Sequence, residues 1–315
     1  MVVLKAVAFS PGKVILLGEH FVVHGAYALV AAIEQGSTTE SSYSKVDQII
    51  SENLNLSWRE GESVPKELVP YTKALERIKS EFPVSKKIRS LIHTTLPLSA
   101  GLGSSSSSSV SYVASVLKLI DGDVNPNRVF DISMESERVI HGNPSGVDVF
   151  IGVEGGVYLF RKDGSKKRVN LSAPIKLIVV NTAISRSTSN LILKFSSYRK
   201  VLPAFFDGVV KASSYVAVLG SDYLSKGMLS EFGLLMNYQH VILSFFGVSC
   251  KSLDDIVNLS IEGGALGAKL TGAGGGGCVI VLPTQSSVKR VLRKLKVFES
   301  FVTSIPSGGL KIWTE

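Results

Sequence analysis

Several classes of protein are excluded by what this sequence has little of. Two cysteines, Cys250 and Cys278, occur in 315 residues and form no CxxC pair, so neither a disulfide framework nor a cysteine-type zinc site is expected. No apolar run approaches the ~20 residues of a membrane span; the richest, residues 176–181 (KLIVVN), has the length of a buried strand. The opening MVVLKAVAFSPGK lacks a long apolar core followed by a small-residue cleavage site, so the expected location is cytoplasmic, with no membrane partner. There is no GxxxxGK[ST] segment, hence no P-loop of that type, and no repeat of 20–50 residues. The charge is +8, from 34 Lys+Arg against 26 Asp+Glu, which favours anionic partners. The basic residues are scattered, however. The densest clusters, 161–168 (RKDGSKKR) and 289–296 (KRVLRKLK), are not interleaved with aromatics, so nucleic acid is not an expected partner. The second cluster gathers Val291, Leu292 and Leu295 on one face and reads as an amphipathic surface helix.

What is present is a globular composition, 45% hydrophobic with a mean hydropathy of +0.27. At ~150 residues per domain the length suggests two domains, placed at 1–168 and 169–315. Strand patterns cover 2–10 and 14–17, separated by a Pro11-Gly12 turn, with 22–24 extended. A helix is expected near 71–82 and a strand over 86–95. Asn125 followed by Pro126 marks a helix start, and Gly142 and Pro144 stop that helix after His141. Strands are expected over 155–160, 176–181, 278–282 and 310–313, and helices around 190–216, 220–246 and 252–262. Without regular strand–helix alternation, the class is α+β.

Three glycine-bearing segments stand out: SPGKVILLGEH at 10–20, PLSAGLGSSSSSS at 97–109 and AKLTGAGGGGC at 268–278. Residues 104–109 are all serine, yet Val110, Val113, Leu117 and Ile120 continue at helical spacing. The run is therefore a helix N-terminus rather than a linker. Free amides there suit phosphate, and serine hydroxyls suit phosphate or a hard cation. The Ala273–Gly277 run precedes a strand instead of following one, which argues against a dinucleotide fingerprint. Glu137 borders the apolar face of its helix, and Asp148 follows a Gly-Asn-Pro-Ser-Gly turn. Two such carboxylates can converge on one pocket, one for a metal and one to orient a hydroxyl; equally they can be a surface Glu and a turn Asp.

Four segments in series, SPGKVILLGEHFVVHG at 10–25, PLSAGLGSSSSSS at 97–109, ERVIHGNPSGVD at 137–148 and GAKLTGAGGGGC at 267–278, resemble the GHMP small-molecule kinases. The resemblance implies two α+β domains, an N-terminal ribosomal-S5-like domain and a ferredoxin-like C-terminal domain. It implies ATP as co-substrate and Mg²⁺ as cofactor. GEH and HGNPSG with Asp148 point to the members that phosphorylate the C5 hydroxyl of (R)-mevalonate, and the family allows a homodimer. By the same resemblance Pro97, Ser99, Ala100, Gly101, Leu102, Gly103, Ser104, Ser105 and Ser106 bind ATP, with the amides of residues 101–104 around its phosphates. Ser105 and Glu137 match Mg²⁺ ligands. Asp148 matches the catalytic base and Lys13 its partner at the reacting oxygens. Lys13, Glu19, His20, Asp148, Thr188, Gly272, Ala273 and Gly274 match the substrate site. His24 and His141 are read as caps or packing groups. The family motif usually continues with alanines or an aromatic where this chain has serines at 106–109, whose hydroxyls either alter nucleotide contacts or pack along the helix. The rival within the family acts on an already phosphorylated acid, and Glu19 weighs against it, because a carboxylate beside a phosphate is costly. The rival outside it is a non-catalytic binder, which has no need of Lys13, Ser105, Glu137 and Asp148 together.

Overall fold

The computed structural model describes residues 5–82, 84–98, 100–142, 144–184 and 188–315, with the backbone alone at residues 140, 141, 188 and 189. The strands are β1 (Lys5–Leu17), β2 (Ala28–Ser44), β3 (Gln48–Ser51), β4 (Leu56–Arg59), β5 (Lys87–Thr94), β6 (Val157–Phe160), β7 (Lys166–Arg168), β8 (Ile175–Asn181), β9 (Ala265–Thr271), β10 (Cys278–Pro283), β11 (Glu299–Ile305) and β12 (Lys311–Thr314). The helices are α1 (Val69–Glu81), α2 (Ser104–Asp121), α3 (Pro126–His141), α4 (Val147–Glu154), α5 (Thr188–Val201), α6 (Pro203–Ser225), α7 (Leu229–Phe245), α8 (Lys251–Glu262) and α9 (Val288–Lys294).

Two sheets form, as the α+β expectation requires. The first runs β12-β1-β2-β5-β3-β4, with β6 on the far end of β2 and β7 beyond it; the second runs β11-β8-β10-β9. Chain order is not sheet order at the end: β12 leaves the second half of the chain and pairs with β1. β8, inside the second sheet, is buried on both faces from Leu177 to Val180, which is why KLIVVN carries no alternation there. Leu177 and Val179 face a core shared with β1 and β2, while Ile178 and Val180 face a core lined by α5, α6 and α8.

Several local expectations shift for identifiable reasons. Pro11 and Gly12 make no turn; they lie inside one continuous β1 at a register shift against β2. Leu96, just after β5, closes over them, and a Cβ on Gly12 would lie 2.7 Å from its side chain. Residues 21–24 are not extended but form a 3-10 turn that sinks Phe21 into an aromatic cluster with Phe195 and Phe246. The expected helices over 190–216 and 220–246 break elsewhere. Pro203 starts α6, since it has no amide to continue the preceding helix, and Gly227 at φ 70 follows its end. Gly220 stays inside α6 because Leu17 packs onto it, 2.4 Å from where a Cβ would stand.

The serine run is structural along most of its length. Ser106 to Ser109, Ser111 and Ser115 are buried, and α2 lies on the inward face of β2. Ser107 accepts from the Ser37 amide at 2.9 Å and donates to the Ser10 carbonyl at 2.7 Å. Ser111 meets Thr39 at 2.8 Å, and Ser115 meets Ser41 at 2.8 Å. The i, i+4 spacing of a helix is thus matched to the i, i+2 spacing of a strand. Most buried hydroxyls are paired, and although the neighbouring Ser109 hydroxyl has no partner among the described residues, these three cross-element contacts fix the register of helix on sheet. We expect Ser111→Ala to cost about 1–3 kcal/mol by stranding the Thr39 hydroxyl. The Thr39→Val/Ser111→Ala double variant should be less destabilised than the single in urea unfolding; a double variant worse than the single would refute the seam.

Candidate active site

β1 has an outer edge that its own sheet covers only in part. β12 pairs with residues 6–9, and beyond them two glycine-rich segments take over. The Lys13 amide donates to the Leu102 carbonyl at 2.8 Å. The Ile15 amide donates to the Thr271 hydroxyl, which in turn donates to the Ile15 carbonyl, both at 3.0 Å. Residues 13 and 15 present the same strand edge, so the loop before α2 and the segment after β9 dock on neighbouring positions of one strand.

Lys13 is buried. Its ammonium donates to the Gly101 carbonyl at 3.2 Å and stands 3.4 Å from Asp148 Oδ2. Asp148 is not a loop residue: Gly146, at φ 77, starts α4 and leaves the carboxylate in its first turn, where the helix dipole favours negative charge. Gly103 closes this group. A Cβ there would lie 3.1 Å from Lys13 Cγ and 3.7 Å from Asp148 Oδ2, on a backbone at φ 75. α2 starts at the next residue, so its first amides, which have no acceptor within the helix, open beside Lys13. Ser105 in that first turn donates to Glu137 Oε1 at 2.8 Å, and Glu137 is buried on α3.

The remaining residues expected to bind ATP divide by burial. Gly101 contributes the carbonyl to Lys13, whereas Ala100 and Leu102 anchor the loop in the core beneath it. Pro97 precedes that anchor, and Ser106 is buried in the helix. Ser99 lies outside the described residues.

Glu19 and His20 form a second group with the third glycine segment. His20 adopts φ 60; its Nε2 is 2.8 Å from the Ala273 carbonyl, and its ring lies 4.9 Å from that of Phe195 on α5. Gly272 and Gly274 stand at φ 81 and φ 78. A Cβ on Gly274 would sit 2.0 Å from the Val248 carbonyl, so this loop can reach His20 only with glycine there. Glu19 is wholly buried and ion-paired with Lys269 of β9. Burial pushes the Glu19 carboxyl up and the Lys269 ammonium down; each opposes the other's shift, and Lys13 adds a weaker pull on Glu19. Thr188 opens α5, and its side chain lies outside the described residues, as does that of His141. His24 packs against Phe206 and Phe195 and meets Ser196 at 3.2 Å, in keeping with a packing role.

Lys269 and Thr271 escaped the sequence reading. Their signal is alternation: Ala268 and Leu270 face the apolar core while Lys269 and Thr271 point to the opposite side. A lysine inside an otherwise apolar strand is the mark that would have found them.

Comparison with known proteins gives this geometry its context. Residues 70–156 match the GHMP kinases N terminal domain and residues 222–299 the GHMP kinases C terminal domain. A mevalonate kinase from Aeropyrum pernix is 32% identical over 318 residues, covering 97% of each chain. One from Archaeoglobus fulgidus is 32% identical over 278 residues, 88% of this chain and 92% of the relative. The crystal structure of L. major mevalonate kinase in complex with R-mevalonate superposes with a TM-score of 0.82 at 26% identity, covering 96% of each chain. Streptococcus pneumoniae phosphomevalonate kinase shares the fold, with a TM-score of 0.78 at 18% identity over 95% of this chain and 99% of that one. With both family domains present and relatives named mevalonate kinase along nearly its whole length, the chain belongs to the GHMP kinase family.

Proposed function

We propose that the protein transfers the γ-phosphoryl group of ATP to the C5 hydroxyl of (R)-mevalonate, giving 5-phosphomevalonate and ADP. The observation that carries this reading is the Lys13 ammonium, 3.4 Å from the Asp148 carboxylate beside the N-terminus of α2. Phosphoryl transfer needs in-line positioning and neutralised charge more than covalent help. In this proposal the amides of residues 101–104 hold the ATP phosphates, and Lys13 supplies positive charge where the phosphoryl group and attacking oxygen meet. Asp148 accepts the alcohol proton, with the Lys13 ammonium beside it. Glu19, His20, Thr188 and residues 272–274 line the acceptor site.

Among the described residues no three His, Cys, Asp or Glu side chains cluster as a metal site. Mg²⁺ in kinases is held by one or two protein oxygens plus substrate phosphates, and the hydrogen-bonded hydroxyl and buried carboxylate of Ser105 and Glu137 suit that demand. When bound, the ion would neutralise phosphate charge. In this reading residues 1–168 carry the phosphate loop and residues 169–315 the third glycine segment. A cytoplasmic location accords with neither cysteine being in a disulfide and with no described helix being long and apolar enough to cross a membrane.

A coupled ADP-release assay with (R)-mevalonate and 5-phosphomevalonate in separate reactions tests the substrate: turnover is expected on mevalonate alone, and turnover only on the phosphorylated acid would replace it. Asp148→Asn should lower kcat by roughly 10²-fold or more with ATP affinity by calorimetry nearly unchanged; wild-type turnover would remove Asp148 from the chemistry. Glu137→Gln should shift the Mg²⁺ dependence of the rate to higher concentration, and an unchanged Mg²⁺ titration would count against its ligand role.

A further inference from the structure

We infer that Lys269 is a positioning residue for the phosphoryl acceptor: by binding Glu19 through Oε1 it holds the carboxylate fixed and leaves Oε2 uncommitted for an acceptor hydroxyl. The inference rests on the mevalonate reading and concerns a residue that makes no part of it.

The pair has an arrangement that stability alone does not explain. Both side chains are entirely buried. The Lys269 ammonium donates to Glu19 Oε1 and, at 2.6 Å, to the Leu270 carbonyl. Glu19 Oε2 is buried with no hydrogen-bond partner among the described residues. A buried ion pair is seldom more stable than an apolar pair of equal volume, and a buried carboxylate oxygen left without a donor is costlier still. An unused acceptor on a rigidly held carboxylate, one residue from His20, is what recognition of a hydroxyl requires.

The strand that carries Lys269 explains how it gets there. Lys269, Thr271 and Ala273, spaced i, i+2, i+4, contact Glu19, Ile15 and His20 in turn. The third glycine segment and the acceptor loop are thereby placed as one unit. Around the pair, Lys13 of β1 acts on Glu19, and His20 follows it in the chain. On the Lys269 side stands His240 of α7, whose Nδ1 lies 3.4 Å from the Leu270 amide and whose Nε2 lies 3.0 Å from Asp254 of α8. Burial pushes His240 down, so it adds no positive charge near neutrality.

The test uses the full chain as wild type, Lys269→Met, Glu19→Gln and the double variant. Lys269→Met should raise KM for mevalonate at least about tenfold, the lower end of what loss of a supporting partner costs, with KM for ATP nearly unchanged. Without the cation the buried carboxyl holds its proton more tightly and ionises only as pH rises. kcat/KM for mevalonate in Lys269→Met should therefore climb with pH across a range where the wild type is flat. In substrate-free urea unfolding the double variant should be more stable than Lys269→Met, since no lone buried charge remains, while its KM for mevalonate should equal that of Glu19→Gln. An unchanged KM for mevalonate, an equal rise in KM for ATP, or a double variant much weaker on mevalonate than Glu19→Gln would overturn the inference. If Lys269→Met does not fold, the comparison of Glu19→Gln with the double variant decides. A wild type silent on mevalonate would overturn the activity itself, and the unfolding cycle would still report whether Glu19 and Lys269 are coupled.

Discussion

The outer edge of β1 is the constraint on which the site depends. A strand edge with unpaired amides and carbonyls must be covered, and β12 is too short to do it beyond residue 9. The positions next in line are met by the Leu102 carbonyl and the Thr271 hydroxyl. Each of these belongs to a glycine-rich segment, so covering the edge also delivers the segment before α2 and the third glycine segment to neighbouring places. The register shift within β1 puts Lys13 at that junction, with Asp148 brought up by α4 from the other side.

Polar groups buried around the site are arranged so that few geometries satisfy them. The serines of α2 pair with β1 and β2 at helix spacing against strand spacing, and a helix slid by one residue would break every pair. Because α2 begins just after Gly103, the seam also fixes where its first amides stand relative to Lys13. Glu19 and Lys269 apply the same logic between the two sheets, with charge in place of hydroxyls. Apolar packing alone tolerates small slips; these paired groups do not.

Much of this was legible in the chain. Asn125 and Pro126 announce α3, and the Asn125 side chain does accept from the Asn127 amide at 2.9 Å. The glycines at 101 and 103, the serine run with its helical continuation, and Glu137 and Asp148 could be named from motif and periodicity, and Lys13 from the family resemblance. Errors fell where distant residues override local preference. Pro11-Gly12 reads as a turn until Leu96 and the Leu102 carbonyl pack over it, and the break expected between 216 and 220 is absent, α6 running on through Gly220, against which Leu17 packs.

By itself, then, the sequence determined the α+β class and the glycine positions, because those follow from periodicity and backbone freedom within short windows, while four motifs in series carried the family resemblance and the residues proposed for the site. Only the tertiary structure decided which of those residues meet. The 3.4 Å approach of Lys13 to Asp148 spans 135 positions of chain, from 13 to 148, and the Lys269–Glu19 pair spans 250. No local pattern encodes such distances; they are set by a strand edge that must be covered and by buried charges that must find each other.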